Sequence, residues 1–295
     1  MSRVVLITGC SSGFGRAMVP AFLDHGWHVI ATMRRAADRS LIFDEELRRF
    51  GNKLTVLNLD VTSASDRSAV IEAIGSHPGR LDCLINNAGF MQLGAFEDIT
   101  EEQLRYQFEV NFFGAVFLTH LALPLLRKSR GVIINHSSVF GFLTWPLTSG
   151  YCSSKYALEG ASESLAQELR PHGVRVVLLE TGAYVTTQLP ANAKWGTGSG
   201  ATYAEETACY RRWRESGRSG EQGSLSEVTA AALRAAEGIS VLRYRVGRGM
   251  SIIYRLTRWF PETVGFRLIG WGVRRVLCRP SLARLVRTST SSSSR

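Results

Sequence analysis

The sequence predicts an α/β protein built on a parallel, doubly wound sheet. Three observations carry that expectation. Short apolar runs recur along the chain with helix-patterned stretches between them, which is the rhythm of strands joined by crossover helices. The first run ends in a glycine-rich turn that opens a helix. Polar residues suited to ligand chemistry follow run after run, and ligands of such sheets sit beyond the strand C-terminal ends, near the point where strand order reverses.

Val4–Thr8 is the first predicted strand, followed by Gly9-Cys10-Ser11-Ser12-Gly13-Phe14-Gly15 and a helical pattern through Ala17, Met18, Ala21, Phe22 and Leu23. Strand, glycine turn and helix together suit a pyrophosphate. Glycines let the backbone approach it, and a helix N-terminus offers free N–H groups. His28–Thr32 is the second strand. Where an NAD enzyme places an acid for the ribose 2′-hydroxyl, this chain has Met33-Arg34-Arg35. Two guanidinium groups suit a 2′-phosphate, which points to NADP. Leu54–Leu59 is the third strand, closed by Asp60-Val61, and Leu81–Ile85 the fourth, followed by Asn86-Asn87-Ala88-Gly89. A helix over 102–127 carries Asn111. Val132–Asn135 delivers Ser137-Ser138, a helix starts at Tyr151, and Val174–Leu179 is a sixth strand. Ser226–Glu237 reads as a Ser-capped helix and Arg243–Gly247 as the last strand and its turn.

In Tyr151-Cys152-Ser153-Ser154-Lys155 the phenol and the ammonium stand at i and i+4, on one helix face. A free tyrosine has a pKa of about 10. A neighbouring lysine is expected to pull it toward working pH, which suits proton exchange with an alcohol oxygen. The same spacing arises by chance on many helices, so its weight comes from its position after the fifth strand.

These residues together resemble the short-chain dehydrogenase/reductase family. The match covers residues 3–187 through Thr8-Gly9-x-x-x-Gly13-x-Gly15, Asp60, Asn86-Asn87-Ala88-Gly89, Asn111, Ser138, Tyr151 and Lys155. The resemblance implies a Rossmann-type domain, a nicotinamide cofactor and hydride exchange at an alcohol or carbonyl carbon. It implies a catalytic set of Asn111, Ser138, Tyr151 and Lys155, with Asn111 holding a water that links Lys155 to solvent. It implies that Gly9, Ser11, Ser12, Gly13, Phe14, Gly15, Arg34, Arg35, Asp60, Val61, Asn87, Ala88, Gly89, Tyr151 and Lys155 hold the cofactor, NADP(H). Ser138 is preferred to Ser137 because strand alternation turns Ser137 to the opposite face. Thr181-Gly182-Ala183-Tyr184-Val185-Thr186 departs from the family's Pro-Gly-x-x-x-Thr at the proline, while Val185 and Thr186 still suit the carboxamide. Steroid- and retinol-type members look similar over Ala31–Arg34 and in having a long C-terminal extension, and the family implies a homodimer.

Residues 1–249 are expected to form the catalytic domain, with 187–224 as a substrate lid, and 250–295 a basic, apolar, helical extension ending in a disordered serine run. The net charge of +10 is uneven: from Arg243 to Arg295 twelve arginines meet one acid, Glu262, for +11, which leaves −1 for the first 242 residues. Ile252, Ile253, Leu256, Trp259, Phe260 and Trp271 interleave with those arginines. That mixture suits an anionic membrane surface, a second subunit or the substrate pocket, and no nucleic-acid motif accompanies it. Five cysteines without metal-type spacing or a disulfide framework fit a reducing, cytoplasmic setting, and a start directly on a strand argues against a secretory signal. No metal site is expected. The function expected is NADP(H)-dependent interconversion of a carbonyl and an alcohol on a lipophilic substrate. The competing reading is a non-catalytic dinucleotide sensor on the same fold.

Overall fold

The computed structural model describes residues 2–182, 184, 193–198, 202–216, 224–238 and 241–259. In chain order the elements are β1 (Val4–Thr8), α1 (Gly13–Asp24), β2 (His28–Met33), α2 (Asp44–Phe50), β3 (Leu54–Asn58), α3 (Ala64–Ser76), β4 (Cys83–Asn86), β5 (Gln92–Leu93), α4 (Glu101–Phe108), α5 (Gly114–Ser129), β6 (Val132–His136), α6 (Ser149–Leu169), β7 (Arg175–Thr181), β8 (Lys194–Trp195), α7 (Ala204–Glu215), α8 (Leu225–Glu237), β9 (Arg243–Val246) and α9 (Met250–Trp259). Seven strands form one parallel sheet in the order β3-β2-β1-β4-β6-β7-β9. Order reverses between β1 and β4, the place where open α/β sheets bind ligands beyond the strand C-terminal ends.

The strands are apolar on both faces because helices cover both. Val5, Ile7, Val29, Ala31, Ile85, Ile134 and Leu179 pack on Met18, Phe22, Val228 and Ala232 of α1 and α8. Their sequence neighbours Val4, Leu6, Ile30, Leu84 and Ile133 pack on Val70 and Ile74 of α3 and on Leu118, Ala122 and Leu126 of α5. Successive strand residues thus feed two separate cores, the period-2 logic of a doubly covered sheet. Helix starts follow local chemistry. Ser63 accepts from Asp66 N, Thr100 and Gln103 form a capping box, and Ser224 accepts from Ser226 N.

Several boundaries differ from the sequence reading. The helix expected over 102–127 is two helices, α4 and α5, joined by a π turn at Glu109–Phe113 that holds Asn111. The region expected as a loop contains, among the described residues, β8, which pairs in parallel with β5, and α7. Lys194 N donates to Met91 O and Gly196 N to Leu93 O. A Cβ on Gly196 would stand 2.6 Å from Asp98 O, so glycine is needed for that approach. The described C-terminal helix is α9; the helix expected over 263–277 and the serine run lie outside the described residues.

Glu180 of β7 is fully buried, and its carboxylate oxygens lie 2.7 Å from Arg243 Nε and 2.8 Å from Arg245 Nε on β9. Arg243 also meets Glu159 at 3.1 Å and pairs with Glu163, both on α6, and Arg245 stacks over Tyr254 of α9 at 3.5 Å. Glu180 thereby fastens the edge strand and, through Arg245, α9. Burial raises the Glu180 carboxyl to about 7 against the pull of the two arginines. Removing one partner of a buried ion pair leaves the other uncompensated. Glu180→Ala is therefore expected to lower stability by about 3–5 kcal/mol in urea unfolding. Arg105→Ala, which removes the exposed pair with Glu101, is expected to cost about 0.3–0.5 kcal/mol. Equal losses in the two variants would contradict this account.

Candidate active site

The catalytic candidates converge beyond the C-terminal ends of β4 and β6. Ser138 follows β6, and its Oγ accepts from Phe140 N at 3.2 Å. Ser137 turns the other way, against Gly141 and Glu159, as strand alternation requires. Tyr151 lies in the first turn of α6 and is 3% exposed, with the Ser138 hydroxyl near enough to favour its ionised form. Lys155 sits one turn on, with Nζ 5.8 Å from the Tyr151 ring centre, and donates to His136 O at 2.7 Å.

Two sequence expectations need correction here. Burial raises the Tyr151 phenol to about 12, opposed by the Ser138 hydrogen bond and by the charge of Arg214. Burial also lowers the Lys155 ammonium to about 8, opposed by Glu159. In the protein alone the cost of burying charge outweighs the expected pull of Lys155 on the phenol. Asn111 is buried, but its side chain is committed: Oδ1 accepts from Phe90 N at 3.1 Å, and Nδ2 donates to Phe90 O at 3.0 Å and to Ser154 Oγ at 3.3 Å. Its side chain therefore splints the segment after β4 to α6.

Most of the predicted cofactor residues follow the C-terminal ends of β1, β2, β3 and β4. Gly9 has φ +72°, and a Cβ there would stand 2.8 Å from Ala88 Cα. A Cβ on Gly15 would stand 2.3 Å from Gly9 O and 2.5 Å from Asn87 Nδ2, so the turn closes on itself and on the β4 turn. Gly13 is also left-handed, at φ +57°. Ser12 caps α1 without a side-chain bond and the first turn holds no acid, so its N–H donors remain suited to a pyrophosphate. This cradle, with Ser11 beside it, fits the dinucleotide that the sequence implies. Thr8 Oγ1 accepts from Asn87 N and Ala88 N, both at 2.9 Å, and Asn87 Nδ2 donates to Thr8 O at 2.8 Å. Gly89 lies against Asn111, where a Cβ would be 3.1 Å from Oδ1. Asp60 accepts from Thr62 N and Oγ1, and Val61 packs where a Cβ on Gly114 would reach it. Arg34 leaves the end of β2 and donates to Tyr106 OH of α4 at 3.2 Å; Arg35 is left-handed at φ +52°. Val185 and Thr186 lie outside the described residues.

Sequence reasoning missed His136. Asn87 Nδ2 is occupied by Thr8 and Gly9, so its Oδ1 faces His136 Nδ1 at 3.0 Å and must accept. Nδ1 therefore carries the proton, and Nε2, 3.2 Å from Thr181 Oγ1, accepts from that hydroxyl. Burial and the Lys155 charge lower the imidazole to about 3 and keep it neutral. Phe14 packs on it at 5.0 Å and on Tyr184 at 5.4 Å. A histidine interrupting the apolar run just before Ser137-Ser138 was the available signal. Tyr151 packs in an apolar cluster with Met91, Leu93, Leu147 and Tyr210, with Phe140, Trp145, Trp195 and Trp213 against it. β8 and α7 supply Trp195, Tyr210 and Trp213.

A buried tyrosine near a serine, a buried lysine one turn on and a glycine turn at a helix N-terminus are groups suited to alcohol–carbonyl redox chemistry with a dinucleotide. Comparison with known proteins gives the same class. The family described as short chain dehydrogenase matches residues 3–195. A 3-ketodihydrosphingosine reductase of Bacteroides thetaiotaomicron is 38% identical over 185 residues, which are 62% of this chain and 65% of that one. An NADPH-dependent 3-dehydrocapnine reductase of Ornithobacterium rhinotracheale is 36% identical over 66% of this chain and 69% of its own. The crystal structure of a short-chain dehydrogenase from Streptomyces avermitilis superposes with a TM-score of 0.78 at 33% identity, over 92% of this chain and 97% of that one. The protein is an oxidoreductase belonging to the short-chain dehydrogenase family.

Proposed function

We propose that the protein is an NADP(H)-dependent oxidoreductase that interconverts a carbonyl and a primary or secondary alcohol on a lipophilic substrate. The observation that carries this reading is the Ser138–Tyr151–Lys155 group beside an apolar aromatic cluster. The bound nicotinamide supplies or takes up the hydride. Tyr151 gives its proton to the carbonyl oxygen or takes one from the alcohol, and Ser138 holds that oxygen near it. Burial raises the Tyr151 phenol to about 12, so in the protein alone it carries its proton at neutral pH. Lys155 adds positive charge beside the phenol and holds ribose hydroxyls. Asn111 braces the segment after β4, and His136 holds Asn87 and Thr181 in register. Residues 187–224 act as the lid.

NADP(H) is favoured by Arg34 and Arg35 at the end of β2, by the lack of an acid there, and by the NADPH dependence of the 3-dehydrocapnine reductase. The 3-ketodihydrosphingosine and 3-dehydrocapnine reductases among the relatives, and the aromatic cluster around Tyr151, support a long apolar substrate over a small polar one. Exposed Phe117 of α5 and Tyr156 of α6 suit a homodimer through that pair of helices. In this reading the enzyme is cytoplasmic and docks peripherally on anionic membrane through residues 250–295. Ile252, Leu256 and Trp259 of α9 are exposed, while Met250 is buried and Tyr254 packs on Phe142. The outward face of α9 is thus apolar, with Arg255 and Arg258 beside it.

Tyr151→Phe is expected to lower turnover by about 10²–10⁴-fold while cofactor affinity stays near wild type. Nicotinamide absorbance over a carbonyl and alcohol panel with both cofactors reads it, and near-wild-type rates would refute the mechanism. Arg34→Ala is expected to weaken NADP(H) about ten- to hundredfold and leave NAD(H) nearly unchanged; equal affinities in wild type would refute the preference. Full-length protein is expected to co-sediment with anionic liposomes at low salt and to be released by salt. Trp259→Glu is expected to weaken that association, and recovery in the supernatant at low salt would end the membrane reading.

A further inference from the structure

Tyr106 of α4 lies outside the catalytic set, yet it touches the segment after β2, the segment after β4 and β8. Its hydroxyl accepts from Arg34 Nη1 at 3.2 Å. Its ring packs on Phe90, with ring centres 5.4 Å apart. Lys194 of β8 sets its ammonium 4.6 Å from the Tyr106 ring centre and 5.1 Å from that of Phe90. Helix α4 is itself firmly placed. The Thr100–Gln103 capping box fixes its start. Gln107, the residue after Tyr106, donates to Phe90 O and accepts from Gln92 N, and Asn111 accepts from Phe90 N. The half-buried Tyr106 ring is therefore braced through backbone bonds on its own helix and on the neighbouring turn.

Arg34, by contrast, is exposed. An exposed arginine samples many rotamers and loses that freedom when it grips a ligand. An acceptor that already holds the guanidinium removes part of that cost before the ligand arrives. Tyr106 takes one N–H of a guanidinium that has several, so a paired grip on a phosphate is still open to it. Lys194 lies over the ring and Arg34 at the hydroxyl, so the two contacts of Tyr106 can be separated by removing the oxygen alone.

We infer that Tyr106 is a positioning residue for cofactor selectivity: its hydroxyl holds Arg34 ready for the 2′-phosphate of NADP(H). It acts through Arg34 and not on the cofactor, so NAD(H), which has no 2′-phosphate, gains nothing from it. The inference rests on the proposed NADP(H) preference and adds the residue that prepares it.

Calorimetric titration of the full-length protein tests this without turnover. The probes are NADP⁺, NAD⁺, adenosine 2′,5′-bisphosphate and adenosine 5′-monophosphate. Tyr106→Phe keeps the ring against Phe90 and Lys194 and removes only the oxygen. It is expected to weaken NADP⁺ and the bisphosphate about two- to tenfold. NAD⁺ and the monophosphate should bind as in wild type, which also shows that the variant is folded. In an Arg34→Ala background the same substitution should change nothing further, because the guanidinium it positions is gone. Equal weakening of all the probes would make Tyr106 a structural residue and overturn the inference. NADP⁺ affinity unmoved by Tyr106→Phe, or tightened because the hydroxyl competes with the phosphate for Arg34, overturns it too and leaves the NADP(H) preference standing. Wild-type protein that binds NADP⁺ and NAD⁺ equally removes the preference itself, and the positioning role falls with it.

Discussion

The contact on which the site depends is the clasp between Thr8 and Asn87. One threonine hydroxyl accepts from two successive backbone N–H groups of the β4 turn, and Asn87 returns its amide to the carbonyls of Thr8 and Gly9. These bonds tie β1 to β4 at the place where strand order reverses. The glycine turn closes on that clasp so tightly that no Cβ fits at Gly15. The same asparagine then presents its oxygen to His136, whose backbone carbonyl holds Lys155. The glycine turn and Lys155 are therefore referenced to one pair of side chains.

Around that frame, burial governs the electrostatics. Tyr151, Lys155 and His136 are all deeply buried, and each is driven toward its neutral form. For the phenol the opposing influences are the Ser138 hydroxyl and the positive charge of Arg214 on α7. A neutral phenol beside a lysine easily deprotonated is an arrangement that the nicotinamide ribose and substrate can retune, because both add polar groups to a dry space. The expected lysine effect on tyrosine thus belongs to the loaded site, and the protein alone shows the opposing term.

Much of this was legible in the sequence because it rests on local rules. Val4–Thr8 was read to the residue, since an apolar run ending in glycine has one natural strand end. The Arg34–Arg35 pair, the asparagine–alanine–glycine turn and the serine, tyrosine and lysine all fall where the strand ends place them. What was not legible depends on distance in space. Nothing local marks Gln92–Leu93 and Lys194–Trp195 as partners a hundred residues apart. The break of the long helix at Glu109–Phe113 follows from Asn111 bonding the Phe90 backbone and Ser154 of α6, contacts that no helical periodicity encodes. His136 and Arg214 were overlooked for the same reason: each is ordinary in sequence and distinctive only through what surrounds it.

The short parallel pair of β5 and β8 has a consequence for mutational tolerance. The segment around Lys194 is joined to the one after β4 by main-chain bonds, Lys194 N to Met91 O and Gly196 N to Leu93 O, with glycine at the close approach to Asp98. Backbone bonds are indifferent to side-chain identity. The side chains along this ladder can therefore change while the seam holds, whereas at Gly196 any side chain would meet the main chain of Asp98.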